Sequence, residues 1–142
     1  MTATAPQRGS SVIPCMRYQD APAAIDWLCN AFGFERRAVF PGENGIIAHA
    51  ELTYGTGMIM LGSNTESEFG RFVKTPADLG GRCTFSPYVV ISDIHAHHAK
   101  SLAAGAKIAM PPKDEGHGWS YSCFDPEGHL WFFGTYDPWS AT

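Results

Sequence analysis

"VIPCMRYQDAPAAIDWLCNAFGF" (Val12–Phe34) decides the fold, because the chain writes it a second time as "FSPYVVISDIHAHHAKSLAAGA" (Phe85–Ala106). Each copy reads as a short strand, an aspartate, a helix and a glycine. Asp20 and Asp93 stand where a carboxylate accepts from the unpaired backbone N–H groups of a helix's first turn. Gly33 and Gly105 stand where a left-handed residue ends the helix. In the first helix Ala21, Ile25, Leu28 and Phe32 recur at helical spacing and form one apolar stripe. The equivalent stripe of the second, Ile94, His98, Ser101 and Gly105, is weaker and contains a histidine.

Strand patterns follow each helix. After the first come "FERRAVF", "GIIAHAELTY" and "GMIMLG", separated by Pro41-Gly42 and Gly55-Thr56-Gly57. After the second come "AKIAM", "WSYSCF" and "LWFFG", with Pro111-Pro112 and Asp125-Pro126-Glu127-Gly128 as the turns between them. The spacing predicts an α+β fold of two βαβββ modules in one domain spanning 1–142. Module one covers about 11–62 and module two about 83–137, with a polar surface linker over 63–82. That linker is long for a structureless connection, and such segments often carry function.

Bulk properties exclude several function classes. A net charge of −4 and pI near 5.8, with no basic stripe, leave nothing to attract nucleic acid or an anionic membrane. No apolar run approaches the roughly 20 residues of a membrane span, and "MTATAPQRGS" lacks the apolar centre of a secretory signal. Cys15, Cys29, Cys83 and Cys123 form no C-x-x-C motif, so reduced thiols and a cytoplasmic location are expected. Cys15, Cys29 and Cys123 sit inside apolar patterns and read as buried structural thiols.

The repeated unit, with "HAELTYGTGMIMLGS" and "DPEGHLWFFGTYDP" at the module ends, resembles the vicinal oxygen chelate superfamily of glyoxalases, bleomycin-resistance proteins, fosfomycin-resistance enzymes and extradiol dioxygenases. The wording is nearest the uncharacterised PhnB-type branch. The resemblance implies two curled sheets with helices outside. It also implies a homodimer whose modules pair into cups that hold a small molecule. Metal-dependent members carry four ligands, at one position on the first and one on the last strand of each module. Carried over, those positions are Ile13, Met60, Pro87 and Phe132, none of which can coordinate a divalent ion. No metal or other cofactor is expected. His95, His97 and His98 lie on a helix outside the sheet and read as a solvated or half-buried cluster; His117 and His129 read as turn-adjacent surface residues.

The cup should then be greasy. Leu130 and Phe132 are expected to face it with Met60, while Trp131 and Phe133 pack under the helices. On the third strand Ile47, His49, Glu51 and Thr53 share one face, and Ala48, Ala50, Leu52 and Tyr54 the other. His49 is the best general-base candidate, with Glu51 as its orienting partner; a plain structural pair is the alternative. Ser120 and Ser122 should look into the cup by the same resemblance, and Trp119 at the strand's mouth either stacks on a flat ligand or packs in the core or rim. Arg17 is a candidate anion or carbonyl contact. Phe72, with Phe69 and Arg71, either closes over a ligand or belongs to a solvated loop. Tyr136 and Trp139 are expected to pack across a subunit boundary.

Two functions compete. One is a metal-free binding protein of the bleomycin-resistance, antibiotic-resistance type, sequestering a planar or aromatic ligand in an apolar cup. The other is a metal-independent lyase or isomerase on a small carbonyl compound, with His49 as base.

Overall fold

The structure, a computed structural model, describes residues 9–140; most of the polar opening segment read above for a leader therefore lies outside the described residues. Helix α1 spans Ala21–Phe32 and α2 spans Ile94–Ala103. Asp20 accepts from the Ala23 N–H at 3.1 Å and Asp93 from the Ala96 N–H at 3.1 Å, so both helices start at the predicted aspartates. Gly33 closes α1 at φ 87°, a conformation that costs glycine nothing.

Around α1 lie β1 (Cys15–Tyr18), β2 (Glu35–Pro41), β3 (Ile47–Tyr54) and β4 (Gly57–Ser63), ordered β1-β4-β3-β2. Around α2 lie β5 (Tyr88–Val90), β6 (Lys107–Asp114), β7 (Trp119–Phe124) and β8 (Leu130–Gly134), ordered β5-β8-β7-β6. The two curled sheets have one topology written twice, with β1 parallel to β4 and β5 parallel to β8.

One face of each sheet is buried against the helices, and both faces feed one apolar cluster. Phe32 at the end of α1 sits 4.7 Å from Phe133 and 5.2 Å from Trp131, ring centre to ring centre, so the first helix packs on the second sheet. The segment "LWFFG" is apolar on both faces for two reasons. Trp131 and Phe133 enter this core, while Leu130 and Phe132 stay half-exposed on the open face.

The polar turn before that strand is a clasp. Asp125 is buried; its Oδ2 accepts from Tyr18 Oη at 2.7 Å and Trp131 Nε1 at 3.1 Å. Its Oδ1 accepts from the N–H groups of Glu127 and His129 at 3.0 and 3.1 Å. Glu127 in turn accepts from the N–H groups of Gln19 and Asp20 at the entry to α1, at 2.6 and 2.9 Å. His129 is half-buried rather than a plain surface residue: its Nε2 lies 2.9 Å from the Arg17 carbonyl and its ring 4.6 Å from Tyr18. The turn of one half thus grips the first strand of the other.

Three further sequence expectations are corrected. Pro111 and Pro112 lie inside β6, between the pairs Met110–Ser122 and Lys113–Ser120, as a bulge where no ladder N–H is needed. The chain reverses instead at Glu115–Gly118. Ala48 is the unpaired residue of a bulge between Phe40–His49 and Pro41–Ile47, which turns Ile47 into the core and leaves Ala48 exposed. Cys15 is exposed because it stands on the open face of an edge strand, opposite Met60. The linker read over 63–82 makes 3-10 turns at Phe69–Arg71 and Pro76–Leu79.

His97 is the histidine of the α2 cluster that enters the core. Its Nε2–H donates to the Phe32 carbonyl at 3.0 Å, so Nδ1 accepts from Tyr121 Oη at 2.6 Å, and its ring lies 4.3 Å from Phe133. Burial lowers its pKa, outweighing the raising effect of the Phe32 hydrogen bond. The unfolded chain therefore binds this proton more readily than the folded one. Stability is full above the ordinary histidine pKa of about 6.5 and falls as pH drops below it toward the lowered native value. A urea midpoint that declines from pH 7 to 5.5, with His97→Gln flattening the decline, is the expected result; an unchanged slope in the variant would assign the effect elsewhere.

Candidate functional site

The open face of the second sheet holds an aromatic hollow. Parallel pairing sets Tyr88 beside Phe132, with ring centres 5.6 Å apart. The Tyr88 ring crosses Gly134, whose hydrogen leaves room that a Cβ would fill, and its hydroxyl donates to the Tyr136 carbonyl at 2.7 Å. Burial and the nearby acidic groups push the Tyr88 phenol above its ordinary range, which keeps it a neutral donor. Trp119, Tyr136, Pro138 and the Glu115–Gly118 turn wall a cavity of about 450 Å³ over this floor. Ser120 reaches it from β7 and donates to Glu115 Oε1 at 3.2 Å.

Of the sequence-predicted residues, Trp119, Ser120 and Phe132 meet in that hollow. Trp119 stands at the rim: it shares a strand face with the buried Tyr121 and packs edge-on to His95 at 4.9 Å. Leu130 lies further along the open face, paired with Phe124. Ser122, beside Phe132 and opposite Met110, is only 1% exposed and its Oγ has no hydrogen-bond partner in the structure.

The open face of the first sheet holds the remaining candidates. Met60 pairs with Cys15 on one side and Glu51 on the other. His49 Nε2 lies 3.0 Å from Glu51 Oε2, so Nε2–H donates to the carboxylate and Nδ1 is left as the basic nitrogen. Phe40 stacks on the imidazole at 5.9 Å. Arg37, the extra residue of a β2 bulge, reaches Glu51 Oε1 at 3.7 Å. Arg17 Nη2 donates to the Thr65 carbonyl at 3.1 Å and the Thr65 hydroxyl at 3.3 Å, and its guanidinium lies 5.5 Å from the Phe69 ring centre. Phe72 is 79% exposed on the linker.

The residues present do not fit the metal that relatives of this fold bind. Register puts Cys15 beside Met60 and Tyr88 beside Phe132, in place of Ile13 and Pro87; a lone thiol is a soft donor, and the Tyr88 hydroxyl is committed to Tyr136. Ile13, Met60 and Phe132 carry no donor a hard cation would accept. Among the described residues no three His, Cys, Asp or Glu side chains are grouped to hold an ion. Nor does Cys123 offer a nucleophile: it is fully buried, and burial pushes its thiol up to about 12.

Sequence reasoning missed Tyr88 and Tyr136 as walls of the hollow, and Thr65 and Phe69 as the cover of Arg17. Tyr88 had a signal, since the residue beside Phe132 in a parallel pair shares its face. The cover had none, because it joins residues far apart in sequence through a loop.

The profile of the Glyoxalase/Bleomycin resistance protein/Dioxygenase superfamily matches residues 12–133. The chain is 33% identical to TioX from Micromonospora sp. ML1, whose crystal structure superposes with a TM-score of 0.72 over 91% of this chain and all of that one. It is 30% identical to the uncharacterized protein Rv0887c of Mycobacterium tuberculosis, over 75% of this chain and 70% of that one. The fosfomycin resistance protein FosX of Listeria monocytogenes, in a complex with Mn(II) and sulfate, shares the fold at 12% identity and a TM-score of 0.64, covering 91% of this chain and 93% of that one. Among the described residues no helix is long and apolar enough to cross a membrane. The chain belongs to the Glyoxalase/Bleomycin resistance protein/Dioxygenase superfamily.

Proposed function

We propose that the protein is a metal-free binding protein that holds a planar or aromatic small molecule between the open faces of its sheets. The observation that carries this reading is the hollow of about 450 Å³ floored by Tyr88 and Phe132 and walled by Trp119 and Tyr136. A flat ring can stack there, with Ser120 orienting a polar edge. Two copies pair as a homodimer so that the first sheet of one covers the second sheet of the other. Trp139, 96% exposed beside the hollow's Pro138 and Tyr136, is what a second chain would cover. The free cysteines fit a reducing, cytoplasmic setting.

The test is a thermal-shift screen of planar aromatic compounds, followed by calorimetric titration of the hits. Phe132→Ala should weaken a hit at least tenfold, about 1.4 kcal/mol, with Tm of the free protein nearly unchanged. Hits indifferent to that substitution, or no hits at all, would remove the reading. Light scattering of the same sample should give two chains per particle.

A second reading rests on the His49–Glu51 contact at 3.0 Å. A half-exposed imidazole with its Nε2–H held by a carboxylate is built to take a proton at Nδ1, as a lyase or isomerase of a small carbonyl compound requires. Under that reading His49→Ala abolishes turnover while binding persists; a change in thermal stability alone would leave a structural pair.

A further inference from the structure

Among the described residues Arg17 is the one lysine or arginine that is buried, at 9% exposure. Its acceptors are both neutral oxygens of Thr65, and its Nε–H is enclosed with no acceptor. The ion pairs of the described residues are Arg36–Asp26, Arg37–Glu51 and His49–Glu51, so no carboxylate stands within 4 Å of Arg17. A guanidinium taken out of water with an idle N–H and no anion is costly, and a site that retains one has a use for it.

What covers Arg17 is the segment 65–74. Its ends are pinned: the Asn64 N–H donates to the Tyr18 carbonyl at 2.8 Å, and Gln19 Nε2 donates to the Thr75 hydroxyl at 3.0 Å. Between the pins, the N–H groups of Gly70, Arg71 and Phe72 donate to the Ser67 hydroxyl and to the Glu68 and Phe69 carbonyls, all inside the segment. From outside the segment Arg17 bonds its start at Thr65 and lies over the face of Phe69 in its middle.

We infer that Arg17 recognises a carboxylate on the ligand, and that residues 65–74 are a lid latched to the same guanidinium. This rests on the aromatic-ligand reading above, in which the first sheet of one chain, with Arg17, covers the hollow of the other's second sheet, and it narrows that reading to an aromatic acid. The edge formed by Nε and Nη2 takes both carboxylate oxygens, a geometry that lysine cannot reproduce. Nη2 exchanges Thr65 for an anion as it does so, and the idle Nε–H gains its first acceptor. Binding and lid release are then one event.

The test uses the full chain with 2-naphthoate and its neutral analogue 2-naphthamide, titrated calorimetrically. The wild type should bind the acid at least tenfold tighter than the amide. Arg17→Gln should erase that preference and leave the amide within twofold, while Arg17→Lys should keep only part of it. Phe132→Ala should weaken both compounds alike. Brief trypsin treatment without ligand gives a second readout: cleavage after Arg71 should be several-fold faster in Arg17→Gln and Arg17→Lys, because the latch is gone. Arg17→Lys carries both measurements if the glutamine variant does not fold. Equal affinity for acid and amide, an acid preference that survives at Arg17→Gln, or unchanged cleavage would overturn the inference. Amide binding that depends on Phe132 without any acid preference would leave the binding function standing and remove the acid alone. If neither compound binds, the inference falls.

Discussion

Asp125→Ala should cost about 3–5 kcal/mol, a large part of the roughly 5–15 kcal/mol that holds a domain folded. The carboxylate serves four donors, two of them buried side chains from opposite halves of the molecule, Tyr18 and Trp131. Removing it strands the Tyr18 hydroxyl and the Trp131 indole N–H inside the core, at about 1–3 kcal/mol each, and releases the turn besides. In a chain of this size that is roughly 10–20 °C of Tm. Tyr18→Phe removes one donor and strands nothing, because Asp125 keeps three partners, so about 1 kcal/mol is expected. Urea unfolding of the two variants checks the ordering. A loss below about 1 kcal/mol for Asp125→Ala would show that water enters and serves both stranded donors.

Trp131→Ala should cost about 3–5 kcal/mol, while its neighbour Phe132→Ala should cost less than about 1. Trp131 is fully buried and touches Phe32, Phe34 and Phe133 with ring centres at 5.2, 5.6 and 6.4 Å. Its removal opens a cavity that the two surrounding modules cannot both collapse into. Phe132, one residue on, faces the open side and loses contact only with Tyr88 and the strand beside it. Differential scanning calorimetry of the pair measures the contrast directly. Similar losses for both would mean that the open face of the second sheet is covered in solution.

The repeat was legible because each half carries its own punctuation. Asp20 and Asp93 cap helices, Gly33 and Gly105 end them with positive φ, and "WSYSCF" and "LWFFG" are strands at the residues read from the sequence. Where the reading failed, pairing partners decided the outcome. Two prolines look like a turn until an edge strand offers a bulge that asks for no N–H. Ile47 and Ala48 looked like simple alternation until β2 skipped a residue opposite them. On α2 the stripe of Ile94, His98 and Ser101 was visible, yet His97 entered the core, because the Phe32 carbonyl and Tyr121 hydroxyl offered both its nitrogens partners. The aromatic hollow was half legible: Phe132 and Ser120 follow from strand parity and Trp119 from its place at the strand's mouth, whereas Tyr136 arrives from a tail with no periodicity.

The prolines in β6 also decide how the protein can meet its own copies. A free sheet edge is a template on which a second chain can add a strand, and repeated addition makes fibres. At the outer edge of the second sheet Pro111 and Pro112 present no N–H, and the bulge around them breaks the ladder's register. At the outer edge of the first sheet β2 presents Glu35, Arg36 and Arg37, interrupted by two register shifts and closed by Pro41. The β2 and β6 rims are therefore both blunted against polymerisation by strand addition.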